Sequence, residues 1–217
     1  MNNEGCWKMI DETLLSIQEI QGFVKAVVLQ TDKIFIEIQK KENGLDLVEK
    51  EMEQMGFPLR YNSFLSPSTL VPLSKRIASL IAIRNVFSLN DEEIRRMGSL
   101  ATKSSFFTKL TLRYLVSLSK MAREIPRHWQ RHYTVGCMDT GELHEEQCYF
   151  IIRLRDFKAH PIFCTYLSGY IIGVVELIGN YPNLTVQETK CQHRGDEFHE
   201  FKVSWSTNNS GTLNENG

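Results

Sequence analysis

Between His160-Pro161 and Gly179-Asn180 runs an apolar segment, Ile162 to Ile178, that carries one carboxylate, Glu176, and two glycines. A helix apolar on all sides has no face to give to water, so other elements must enclose it. Proline suits the first turn of a helix and glycine its end, and the spacing predicts a buried helix over 161–178. No apolar run reaches the roughly 18–20 residues that span a bilayer, so no membrane span is expected.

What encloses such a helix is read from its flanks. After it come LTVQETKC and FHEFKVSW, two strand-like runs joined by a turn at Arg194-Gly195-Asp196. Before it, residues 133–138 and 146–155 read as strands around a turn at Thr140-Gly141. Further upstream helices are predicted over 7–21, to about Met55, over 73–87, from an Asn90 cap to Leu100, and over 104–123. Pro126 is expected to start another short helix. FVKAVVLQ and KIFIEIQ, joined at Thr31-Asp32, read as a hairpin. The fold class is α+β, an antiparallel sheet packed with several helices. The expected organisation is an N-terminal helix-hairpin-helix extension over 1–60, a main domain over 61–206 and a polar, disordered tail over 207–217.

Charge and cysteine usage narrow the function. Lys plus Arg number 25 against 26 Asp plus Glu, a balance that does not suggest nucleic-acid binding. The N-terminus lacks the basic and apolar regions of a secretory signal, so a cytoplasmic location is expected. Five cysteines, an odd number, then stay reduced and are better explained by metal binding or core packing than by disulfides.

Cys191 and His199 lie at equal sequence distances from Gly195. In a hairpin centred there they face one another, close enough to share an ion. His199 also shares the parity of Phe201, Val203 and Trp205, the apolar face, where its nitrogens need a partner.

The segment from Cys164 to Phe201 resembles the C-terminal signature of the 4-vinyl reductase domain family. That signature has a Cys ahead of Gly-Tyr (here Cys164 and Gly169-Tyr170), a Glu-x-x-Cys step (Glu188 and Cys191) and a glycine-containing turn (Gly195). Its last ligand is commonly Cys, where this chain has His199. The resemblance implies a structural zinc ion held by Cys164, Glu188, Cys191 and His199. An odd spacing puts Glu188 and Cys191 on opposite faces of a regular strand, so the strand must bulge or end near Thr189-Lys190. The resemblance further implies a fold similar to haem-based nitric-oxide sensors and vesicle-tethering subunits, with a pocket for a small hydrophobic or aromatic molecule. Candidate lining residues are Phe106, Phe107, Tyr114, Trp129 and Tyr133.

The leading reading is a zinc-stapled sensor or adaptor, expected to form a homodimer or to act through a signalling partner. An interaction scaffold resembling the tethering subunits is the alternative. An enzyme is less favoured, because no GxGxxG or GxxxxGK[ST] segment is present. It would need Glu188 to stay off the metal and leave an open position. A haem sensor, with His160 or His128 as axial ligand, is a further reading.

Overall fold

The computed structural model describes residues 16–63, 66–104 and 117–206. The helix expected over 7–21 lies mostly outside them, as do much of that over 104–123 and the tail.

Strand β1 (Phe23–Lys25) pairs antiparallel with β2 (Leu70–Pro72). Between them lie helices α1 (Val27–Ile38) and α2 (Gly44–Gln54). The expected hairpin at Thr31-Asp32 is therefore corrected to one continuous helix. Its buried positions, Leu29, Asp32, Phe35 and Ile36, follow the 3–4-residue helical period. The stripe is disguised because one of its members is a carboxylate.

Helix α3 (Leu73–Phe87) spans the predicted range and buries Ile77, Leu80 and Ile83. Helix α4 (Asp91–Ser104) starts from a reciprocal capping box. Glu93 N donates to Asn90 Oδ1 at 3.0 Å, and Asn90 N to Glu93 Oε2 at 2.8 Å. Helix α5 (Leu118–His132) contains Pro126 in its interior, which corrects the expectation that a helix starts there. Proline cannot donate to the carbonyl four residues back. That carbonyl, on Ala122, instead accepts from Thr140 Oγ1 at 3.1 Å, so the helix continues past the proline.

Strands β3 (Cys137–His144) and β4 (Tyr149–Arg155) follow. Thr140-Gly141 lies inside β3 at an irregularity of pairing, and the chain reverses between His144 and Tyr149, where Cys148 adopts φ 55°. Helix α6 (Pro161–Ile178) is capped by His160 Nδ1, which accepts from Ile162 N at 3.1 Å. Strands β5 (Thr185–Lys190) and β6 (His199–Ser204) close the sheet in the antiparallel order β3-β4-β6-β5.

One apolar cluster runs from Ile17 to Val203 and joins every layer. Phe150, Ile152, Leu154, Phe201 and Val203 are its contribution from the sheet. By length and composition α6 would suffice to cross a membrane, yet 56% of it is buried inside the protein. It meets α4 backbone to backbone. A Cβ on Gly169 would collide with the Arg95 carbonyl oxygen, and one on Gly98 with that of Tyr166.

Candidate metal cluster and ligand cavity

Cys164, Glu188, Cys191 and His199 converge, their donor atoms all within 4.8 Å of one another. Three elements bring them together: the first turn of α6, the end of β5 with the turn after it, and the start of β6. The parity conflict is resolved by a bulge. Glu188 pairs with Phe201, but Lys190 pairs with Glu200, so Thr189 is the extra residue. Thr189 Oγ1 donates to the Glu200 carbonyl at 3.2 Å and to its carboxylate at 3.0 Å, which holds the bulge in place. The turn that presents Cys191 is equally fixed. Cys191 N donates to Asp196 Oδ2 at 2.7 Å, and Gly195 takes the left-handed φ of 96° that the reversal requires.

The orientation of His199 decides what this group can do. Its Nε2–H donates to the Phe157 carbonyl at 3.1 Å, which leaves the Nδ1 lone pair pointing inward. Nδ1 meets Glu188 Oε1 at 3.2 Å and Cys164 Sγ at 3.5 Å. A nucleophilic Cys–His–Glu relay needs the two partners on different ring nitrogens. Here both sit on one nitrogen while the other is anchored to a backbone carbonyl, the arrangement that orients metal-binding histidines. A lone pair and a carboxylate oxygen so close require a positive charge between them, supplied by a proton or by a metal ion.

Burial, followed by the nearby Glu188, pushes the Cys164 thiol up. Burial also raises Cys191. For Glu188 burial acts in the opposite direction to the outcome. Hydrogen bonds from His199, Cys191 and Cys164 outweigh it and hold the carboxyl at about 2. Without metal the cluster is thus a carboxylate ringed by protonated donors. Metal binding has to displace the two thiol protons and the proton held between His199 Nδ1 and Glu188.

A cavity of about 120 Å³ lies between α1, α5 and α6, walled by Met121, His128, Trp129, Tyr133, Tyr166 and Tyr170 among others. Trp129 and Tyr133 stack at 4.2 Å and 11°, and Trp129 Nε1 donates to the Val135 and Gly136 carbonyls. Of the expected lining residues these two are in the wall, whereas Phe106, Phe107 and Tyr114 lie outside the described residues. Its polar members include Thr31, Glu124 and Arg131, together with His128, bonded through Nε2 to the Tyr170 hydroxyl at 2.9 Å, and His132, bonded through Nδ1 to the His128 carbonyl at 2.9 Å. Burial, then the neighbouring His132 and Arg131, pushes His128 down to about 4. Sequence reading missed His132, Met121 and Tyr166. The pattern His128-x-x-x-His132, one helical turn apart, was the available signal. Phe163 and Leu167 of α6 belong both to this cavity and to a narrow cleft beside Cys164 and His199, so the two sites share a wall.

No protein-family model matches the chain, and a comparison with curated protein sequences finds no match. Solved structures do share the fold, and they are H-NOX domains. An H-NOX protein from S. oneidensis in the Fe(II)NO ligation state has a TM-score of 0.57 at 10% identity, over 84% of this chain and 99% of that one. An oxygen-binding H-NOX domain related to soluble guanylate cyclases has 0.56 at 12%, over 84% and 95%. A structure probing heme distortion in the H-NOX family has 0.59 at 12%, over the same shares. At these identities the likeness establishes the H-NOX fold and nothing finer.

The expectation of a structural zinc ion is corrected here. The structures that share the fold are described by heme, iron and gaseous ligands, not by zinc. Physically, residue spacing selects donor types; thiolate, imidazole and carboxylate together are accepted by several transition metals and do not specify one ion.

The cavity bounded by the described residues is smaller than a porphyrin. An apolar cavity of about 150 Å³ suffices for benzene, and a porphyrin is several times larger than the space of about 120 Å³ present here. The imidazole best placed as an axial ligand, His128, is engaged through Nε2 by Tyr170.

Proposed function

We propose that this chain is a small-molecule sensor or adaptor domain that holds a compact hydrophobic or aromatic molecule in the α1–α5–α6 cavity. The cavity itself carries the reading: an aromatic and aliphatic wall, a space of about 120 Å³, and a few convergent polar groups in the neutral imidazoles of His128 and His132 and the hydroxyl of Tyr170. The resemblance to 4-vinyl reductase domains, which hold such molecules, supports the same assignment. Signalling output then requires a second copy or a protein partner. Native mass spectrometry of protein purified without additives, then incubated with toluene, tests the reading. A bound small organic molecule or a one-to-one toluene adduct is expected. Only the bare chain mass under both conditions contradicts it.

We further propose that Cys164, Glu188, Cys191 and His199 form the ligand set of a transition-metal ion. The inward Nδ1 of His199 is the observation that favours it. Cobalt(II) added to metal-free protein is expected to give thiolate charge-transfer absorption that Cys191→Ser weakens and the double change Cys164→Ser with Cys191→Ser removes. A spectrum identical to that of aqueous cobalt(II) contradicts it.

A further inference from the structure

Asp32 of α1 and Arg76 of α3 form an ion pair with no solvent exposure on either side chain. Asp32 Oδ2 accepts from Arg76 Nη1 and from Ser79 Oγ, and Ser79 in turn meets the Tyr61 hydroxyl at 2.7 Å. Three atoms of the pair have no hydrogen-bond partner among the described residues: Arg76 Nε, Arg76 Nη2 and Asp32 Oδ1. Buried polar atoms in folded proteins are nearly always satisfied, and a guanidinium even more so. A group beyond the described residues is therefore called for.

The pattern of the three atoms defines that group. In a planar guanidinium Nε–H and Nη2–H lie side by side along one edge, the fork that receives two carboxyl oxygens. Asp32 Oδ1 adds one acceptor. Two parallel donors and one acceptor complement a carboxylic acid that arrives with its proton: its oxygens accept from Arg76, and its O–H donates to Asp32. Entry of the neutral acid leaves the net charge of the buried pair unchanged, so no third charge is stranded in the core.

The pair stands directly behind the cavity. The Arg76 guanidinium carbon lies 4.6 Å from the ring centroid of Tyr166, which lines the cavity, and Thr31, beside Asp32 in α1, lines it too. We infer that Arg76 and Asp32 form a carboxyl-recognition subsite at the inner wall, and that the ligand is a compact apolar carboxylic acid with its hydrocarbon body in the cavity. The head reaches the fork past Tyr166 and Thr31. This inference rests on the ligand-cavity reading above.

The experiment compares benzoate with toluene, the same ring without the carboxyl group, on the full chain at neutral pH by NMR titration. Toluene is expected to bind without moving the Arg76 Nε–H resonance, whereas benzoate shifts it saturably. Arg76→Lys keeps the charge but loses the fork. It is expected to weaken benzoate by about tenfold or more, as for loss of a charged hydrogen bond, and to leave toluene unchanged. If Arg76→Lys does not fold, the Nε–H response of the unaltered protein decides alone. Binding of toluene together with benzoate that fails to bind, or binds without moving Arg76, overturns the subsite and assigns the fork to buried water. Failure of both ligands to bind overturns the cavity reading and the subsite with it.

Discussion

Asp32 shows how one side chain can hide an element from sequence reading. Within VVLQTDKIFIEI the buried stripe runs through a carboxylate, and Thr-Asp in a β-branched setting carries the composition of a turn. Its burial is explained by Arg76 and Ser79, 44 and 47 residues away, partners no local pattern reveals. Removing one member of such a pair strands the other. Asp32→Ala is expected to cost about 3–5 kcal/mol in urea unfolding, while the double change Asp32→Leu with Arg76→Met costs less than either single one. The histidines carry a second prediction at this scale. Burial depresses His128 and His160 from 6.5 to about 4 each. The unfolded chain therefore binds these protons first, and the stability contributed by the neutral forms is full above pH 6.5 and lost as pH falls towards 4. Thermal melts should show a drop in Tm over that window, made shallower by His128→Phe.

At the scale of elements, legibility tracks the range of the determining contacts. Helix α3, the Asn90 cap and the β5–β6 hairpin are decided by neighbours in sequence, and the spacing predicts them. The break in pairing at Thr189-Lys190 is legible for the same reason: parity and ligand identity together require the strand to bulge or end there, and it bulges. Deleting Thr189 would place Glu188 two residues before Cys191, on the same face of a regular ladder, so cobalt(II) binding should persist, whereas one residue inserted after Thr189, with the bulge retained, should turn Glu188 to the opposite face and weaken it. Helix α5 was not legible across Pro126, because the group that satisfies the Ala122 carbonyl comes from a strand 18 residues away. The close packing of α4 on α6 was equally hidden, as a glycine in a sequence does not say whose backbone it admits. Gly169→Ala should cost about 1–3 kcal/mol or more, because an interface of two backbones cannot yield to a methyl group.

Across the whole molecule, α6 is the common member. It carries Cys164 in its first turn and a wall of the cavity along the next turns, with Phe163 and Leu167 facing both sites. The apolar run that singled out this helix in the sequence thus records its central position between sheet and helices. The donor types of the cluster were legible from the hairpin and the family resemblance, the identity of the ion was not, and the cavity was legible only as two aromatic residues of its wall. Cavities are made by what several elements leave unfilled, a property no single segment encodes. The ligand cavity is the central claim, and methionine-methyl NMR with toluene tests it most directly. Met121 and Met138 line the cavity, while Met52 and Met97 are buried elsewhere in the core. Saturable shifts of Met121 and Met138 with Met52 and Met97 unmoved are predicted; methyl signals that do not move up to the solubility limit of toluene would contradict it.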